Sequence, residues 1–428
     1  MIVLFLFLSL FIFIALGIPI AFAIGISSSI AILLRGFPLE VIAYQIISGS
    51  ISFSYSSIPF FILAGELMSG GKLTQYLVDF AEIFVGHLRG GMGHINVLAS
   101  MFFAGITGSA TSDTVALGSI EIPMMVNGGY SREYSTAITI ASSVIGPIIP
   151  PSLTFIIYAL SVGKISIGGL FVAAIIPGII IGIILMIINY YISKKRNYPV
   201  RKTSLTGKYI WQTTKKSLVI LVMPIIIVGG IVTGIYTPTE AAAVACLYAI
   251  LVSLFIFKTF KIRDFPQMLF NSAKTAAIIV FILGVSNIFS WVVVNENVPR
   301  MVANLLLSMT DSRIIFLILI NITLLIVGCV IDTFPAIIIF APILAPVAAQ
   351  YGVHPLHFGV IFCINILVGL NTPPIGTGLY LGVSVGRVSL NALIKEVIPF
   401  VVMEIIAVLI ITYVPLTVLW LPSLLGFK

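Results

Sequence analysis

The chain has 428 residues, 60% of them hydrophobic and only 8% charged, with a mean hydropathy of +1.21. Soluble domains carry about 25% charged residues, so the composition excludes a water-soluble enzyme or nucleic-acid-binding module and points to an all-α polytopic membrane protein. The net charge of +8 has one address: residues 193–216 hold eight Lys or Arg and no acid, matching the whole excess of 22 basic over 14 acidic residues.

The first run, MIVLFLFLSLFIFIALGIPIAF, lacks the basic region and small-residue cleavage site of a secretory signal and reads as a retained span. Residues 1–92 are expected to form N-terminal scaffold spans ending in an amphipathic arm at 73–88. Residues 93–165 read as a first transport repeat. Within it, 96–126 is interrupted by GITGSATSDT and reads as two short half-helices meeting at a polar tip, a re-entrant hairpin. The next helix, about 134–163, breaks at GPIIPPS, because adjacent prolines supply no donor and clash with the preceding turn.

Residues 166–312 read as further scaffold. The basic segment 193–216 lies in the cytoplasm by the positive-inside rule, with anionic lipids as added contacts, and is not a nucleic-acid site. Spans follow near 217–235, 240–257 and 274–294, then a second arm at 299–309. Residues 313–388 read as the second transport repeat, with a hairpin interrupted at GCVIDTFP and a helix over 355–386 broken at GLNTPP; 389–428 is a C-terminal scaffold span.

The two units look like copies. Gly146 precedes Pro150-Pro151 as Gly369 precedes Pro373-Pro374, and Asp113-Thr114 stands upstream as Asp332-Thr333 does. Pro123 and Pro342 come next, while Gly163-Lys164-Ile165-Ser166 and Gly386-Arg387-Val388-Ser389 close each unit. The offset is 219 residues at the Asp-Thr pairs and 223 later, which a four-residue insertion explains. With 193–216 inside, and Lys258, Lys261 and Arg263 inside again, the first broken helix runs outward and the second inward, leaving both termini periplasmic. Inverted repeats that each hold a discontinuous helix are characteristic of secondary transporters.

Non-helical backbone at membrane depth is tolerated only where protein or a cavity encloses it, so tips and breaks are expected to meet at a site. Half-helix N-termini favour an anion, and freed carbonyls and hydroxyls a cation. Asp113 and Asp332 begin half-helices, where a carboxylate can act as an N-cap, and intramembrane acids are also functional candidates. Ser109, Asn371 and Thr372 lie beside the breaks and read as cation or substrate contacts; Thr111, Ser112, Ser152 and Thr377 add hydroxyls there. Glu66 and Glu121 read as structural or interfacial. Cys246, Cys329 and Cys363 read as buried thiols, and His354 and His357 as a loop at the membrane surface. No nucleophile–base pair or metal cluster is evident, so the chain does not read as an enzyme.

Taken together, IPFFILAGELM, GHLRGGMG, GITGSATSDTVALGSIEIPMM, GPIIPPS, GIYTPTEAAAVA and GLNTPPIGTGLYLG resemble the large membrane subunit of tripartite ATP-independent periplasmic (TRAP) transporters. The resemblance covers nearly the whole chain. It implies a bacterial inner-membrane elevator transporter, coupled to Na+, for an organic acid such as a sialic acid or dicarboxylate. Its implied partners are a small four-helix membrane subunit and a periplasmic substrate-binding protein. The positions implied to hold sodium are Ser109, Gly146, Pro150, Gly328, Asp332, Gly369, Asn371 and Thr372. The substrate-binding candidates are Ser109, Thr111, Ser112, Asp113, Ser152, Asp332 and Thr377; Thr111 and Ser112 stand where the family usually has small apolar residues. The rival readings are a stand-alone sodium/divalent-anion symporter and, further off, a channel.

Overall fold

The computed structural model describes residues 2–51, 56–69, 71–163, 165–199, 206–259 and 261–427; Lys164 and the stretch 200–205 of the basic segment lie outside them. Every regular element among the described residues is helical. The N-terminal helices are α1 (Ile2–Ala15), α2 (Ile20–Leu34), α3 (Glu40–Ser50), α4 (Ser57–Met68) and the amphipathic α5 (Gly71–Val85). α6 (Gly91–Thr107) and α7 (Ala110–Asn127) follow, then α8 (Arg132–Ser143) and α9 (Leu153–Val162) on either side of the first double proline. Next come α10 (Ile167–Lys195), α11 (Gly207–Val232), α12 (Pro238–Leu251) with a π turn at Val252–Ile256, α13 (Phe265–Asn295) and the amphipathic α14 (Val298–Met309). The pattern then recurs in α15 (Arg313–Val330), α16 (Thr333–Gln350), α17 (Pro355–Gly369) and α18 (Thr377–Gly386). α19 (Leu390–Tyr413) and α20 (Leu416–Leu424) finish the chain, bent 55° from one another.

α6–α7 and α15–α16 are hairpins. At the open end of the first, Met92 packs on Gly128. At the open end of the second, the Phe316 ring stacks on Tyr351 with centroids 4.1 Å apart, and the Tyr351 hydroxyl donates to the Thr310 carbonyl at 3.0 Å. Their arms are longer than the short half-helices expected. α15 and α16 have 18 residues each, about 27 Å at 1.5 Å per residue, and each is long and apolar enough to cross a membrane.

The repeat is tighter than its sequence suggests. Helix starts recur at an offset of 223 residues: Arg132 and Pro355, Ile167 and Leu390, Ala110 and Thr333. The N-cap of α7 is therefore Ser109, whose counterpart is Asp332, the N-cap of α16. Asp113 lies one turn inside α7 and is no cap, so the two Asp-Thr pairs are not equivalent and no four-residue insertion separates the copies. Ser and Asp are both common at N-cap positions; Asp332 accepts from the Thr333 N–H while Ser109 makes no capping bond, so residue identity misled where helix position does not.

The copies are inverted. Arg132, at the start of the first broken helix, donates to the carbonyl of Gly386, at the end of the second. Gly169, just past the first broken helix, packs on Leu356, at the start of the second. Arg196, at the end of α10, pairs with Glu396 of α19 at 2.8 Å, so the exit of the second broken helix shares a face with the basic segment. α19 buries its face mainly against the broken helices, whereas α10 divides its faces between both repeats and α19, α20 and α11; α13 gathers α2, α3 and α4, and the arm α14 packs on α16.

Ser166 and Ser389 are N-caps of α10 and α19, accepting from Gly169 and Ala392. Between them the chain crosses with α10, α11, α12, α13 and the α17–α18 pair, while a hairpin contributes either no crossing or two. Single cysteines at Ser166 and Ser389, in a background lacking Cys246, Cys329 and Cys363, should therefore be labelled by an impermeant maleimide from opposite sides of the membrane. Labelling of both from one side would contradict the inversion.

Candidate functional site

The first tip turns at Gly108, whose φ of +60° lies in the left-handed region that favours glycine. Ser109 is extended and starts α7. A Cβ at Gly108 would come 3.0 Å from the Pro151 carbonyl, so the tip lies directly on the first break. The second tip is equally close to its own break. A Cβ at Gly328 would meet the Ile366 carbonyl, 2.5 Å away, and one at Gly369 would meet Gly328 at 2.7 Å.

Side chains bond the backbone carbonyls around the two breaks. Ser152 donates to the Pro147 carbonyl and accepts from the Phe155 N–H at 3.3 Å, capping α9. The Thr372 hydroxyl donates to the Val368 carbonyl at 2.9 Å, and the Cys329 thiol donates to the Thr372 carbonyl at 3.1 Å. Asn371 reaches across the repeat, its amide donating to the Ile140 carbonyl of α8 at 2.7 Å.

The candidate residues fall into four groups. Asp113 is wholly buried and accepts from the Thr107 hydroxyl through Oδ1, while Oδ2 has no hydrogen-bond partner. Gly146 lies against that carboxylate, and any side chain there would collide with it. A second group, Gly328, Gly369, Asn371 and Thr372, surrounds the second break. Third, Ser109, Thr111 and Asp332 line a cleft of about 60 Å³ between the tips, where Asp332 also accepts from its own helix at the Thr333 N–H, 2.7 Å away. Fourth, Ser109 and Ser112 face a larger cavity of about 320 Å³. Ser152 is buried behind the break, Pro150 lies within the break, and Thr377 is exposed outside both cavities.

The larger cavity separates the first tip from α4 and α13. Its far wall carries Glu66, Asn271 and Thr275, none of them singled out in the sequence as site residues. The available signals were an acid inside the apolar run IPFFILAGELM and polar residues one helical turn apart at 271 and 275. The two histidines have local duties: His354 caps α17 by accepting from the Leu356 N–H at 3.2 Å, and His357 is bonded to the Ile411 carbonyl at 2.9 Å. Among the described residues no group of three or more His, Cys, Asp or Glu could hold a metal, so a cation here must rely on hydroxyls, carbonyls and single carboxylates.

Comparison with known proteins agrees with this arrangement. The crystal structure of the Alcanivorax borkumensis YdaH transporter matches at a TM-score of 0.63 and 12% identity, covering 91% of this chain and 89% of that one, a likeness of fold alone. The C4-dicarboxylate TRAP transporter large permease protein DctM of Pseudomonas aeruginosa is 37% identical over 429 residues, covering 100% of both chains. The sialic acid TRAP transporter large permease protein SiaM of Vibrio cholerae is 36% identical over 398 residues, covering 92% of each. A family model described as "Tripartite ATP-independent periplasmic transporter, DctM component" matches residues 7–417. The chain therefore belongs to the tripartite ATP-independent periplasmic transporters, as a large permease component.

Proposed function

We propose that this permease imports an organic acid anion across a bacterial inner membrane by an elevator movement driven by inward sodium flow. The observation that carries this reading is the place of the larger cavity, between the first tip on one side and α4 and α13 on the other. Movement of the hairpins and broken helices past that wall exposes the cavity to each side in turn. α10 and α19, read from the sequence as scaffold, travel with them: α19 packs mainly on the broken helices, and α10 packs on α19, α6 and α17. The amphipathic α5 and α14 are the arms that link moving and fixed parts.

Asp113 supplies the clearest cation ligand. A buried carboxylate oxygen with no donor is costly unless a charge meets it, and Gly146, which has no side chain to strike that oxygen, lets it lie against the first break. The second position, at Gly328, Gly369, Asn371 and Thr372, offers only neutral oxygens. Sodium brings positive charge to the anion site and gains about 2.3 kcal/mol per 100 mV on entering. Substrate arrives on a periplasmic binding protein, and a small membrane subunit completes the fixed part. Both termini face the periplasm.

Proteoliposomes holding this chain and its small subunit should accumulate substrate under an inward sodium gradient only when loaded binding protein is added outside. Uptake of free substrate by this chain alone would favour a stand-alone symporter instead.

Asp113→Asn and Thr372→Ala should each shift the sodium activation curve to higher concentration while the protein still folds. A hydrogen bond or ligand contact to a charged group is worth about 1.5–3 kcal/mol, or about ten- to a hundredfold in affinity. Unchanged sodium activation in both variants would move the cation elsewhere.

A further inference from the structure

The larger cavity has an unusual balance of charge for an anion site. Among the described residues its one ionisable lining residue is Glu66, the adjoining cleft adds Asp332, and no Lys, Arg or His lines either space. Glu66 is held by neutral donors: the Asn271 amide reaches Oε1 at 3.1 Å, and the Ser272 hydroxyl donates to Oε2. No cation offsets its charge in these contacts. On the opposite side the tip presents the Ser109 and Ser112 hydroxyls, with the first turn of α7 behind them, while the Thr107 hydroxyl already donates to Asp113. Hydroxyls and helix N-terminal N–H groups donate to anions. The two walls thus differ in kind, one donating and the other accepting.

We infer that Glu66 is a specificity-determining residue that admits a hydroxylated monoanion and rejects a dianion. A single carboxylate on the substrate fits the donating wall, and hydroxyl groups at its other end donate to Glu66. A second carboxylate at that end meets Glu66 as a like charge and is repelled. Of the two substrate classes named for the relatives above, this favours a sialic-acid-type hydroxy acid over a C4-dicarboxylate. The inference rests on the organic-acid importer reading and narrows it.

Direct binding to the purified complex of this chain with its small subunit, in saturating sodium, bypasses selection by the binding protein. Gluconate, succinate and monomethyl succinate are the probes, read by thermal shift across a concentration series. The wild-type complex should prefer gluconate and monomethyl succinate to succinate by about tenfold or more, and Glu66→Gln should narrow that preference about tenfold. Ser272→Ala, which keeps the charge, should leave it in place. Succinate bound as well as its monoester by the wild-type complex overturns the inference without any mutant, as does an unchanged ratio in Glu66→Gln. Failure of all three anions to bind the wild-type complex would instead overturn the organic-acid reading itself.

Discussion

Two helices broken at mid-length impose the condition that the rest of this structure meets. Each break leaves N–H and C=O groups without helical partners, and in surroundings this apolar an unpaired group costs several kcal/mol. The hairpin tips are the solution. Gly108 and Gly328 bring tip backbone into contact with the breaks, and Cys329, Ser152, Thr372 and Asn371 donate to carbonyls around them. What remains unpaired at a tip or a break is then informative. Asp113 Oδ2 is such an atom, and it lies where tip and break meet.

Much of this plan was legible in the sequence because its markers act locally. Double prolines break a helix wherever they fall, and glycine marks close approach, so the breaks, tips and arms were readable from residue type alone. The alignment of the halves was less so. Asp-Thr recurs at the wrong register because a cap can be Ser or Asp, and only the helix starts reveal that Ser109 answers to Asp332. The cavity wall was out of reach for another reason. Glu66 finds its partners on α13, more than 200 residues away, so nothing in its neighbourhood indicates which space it faces. α10 and α19 are apolar around most of their circumference, and periodicity therefore gave no sign of the elements they cover.

The two polar cavities share Ser109 and Phe334 among their lining residues. Ser109 also starts α7, the helix that carries Asp113 one turn later, and Phe334 lies in the first turn of α16, so both hairpin tips border both spaces.

The contacts that join the broken helices end to end have a mechanical meaning. Arg132 is tied to Gly386 at one face, and Gly169 is wedged on Leu356 at the other. Two antiparallel rods joined at both ends resist sliding along each other, which ties the geometry of one break to that of the other. Asn371, anchored on α8 near the middle, adds a third pin. The two broken helices are thereby strapped into one antiparallel pair, braced at each end and across its centre.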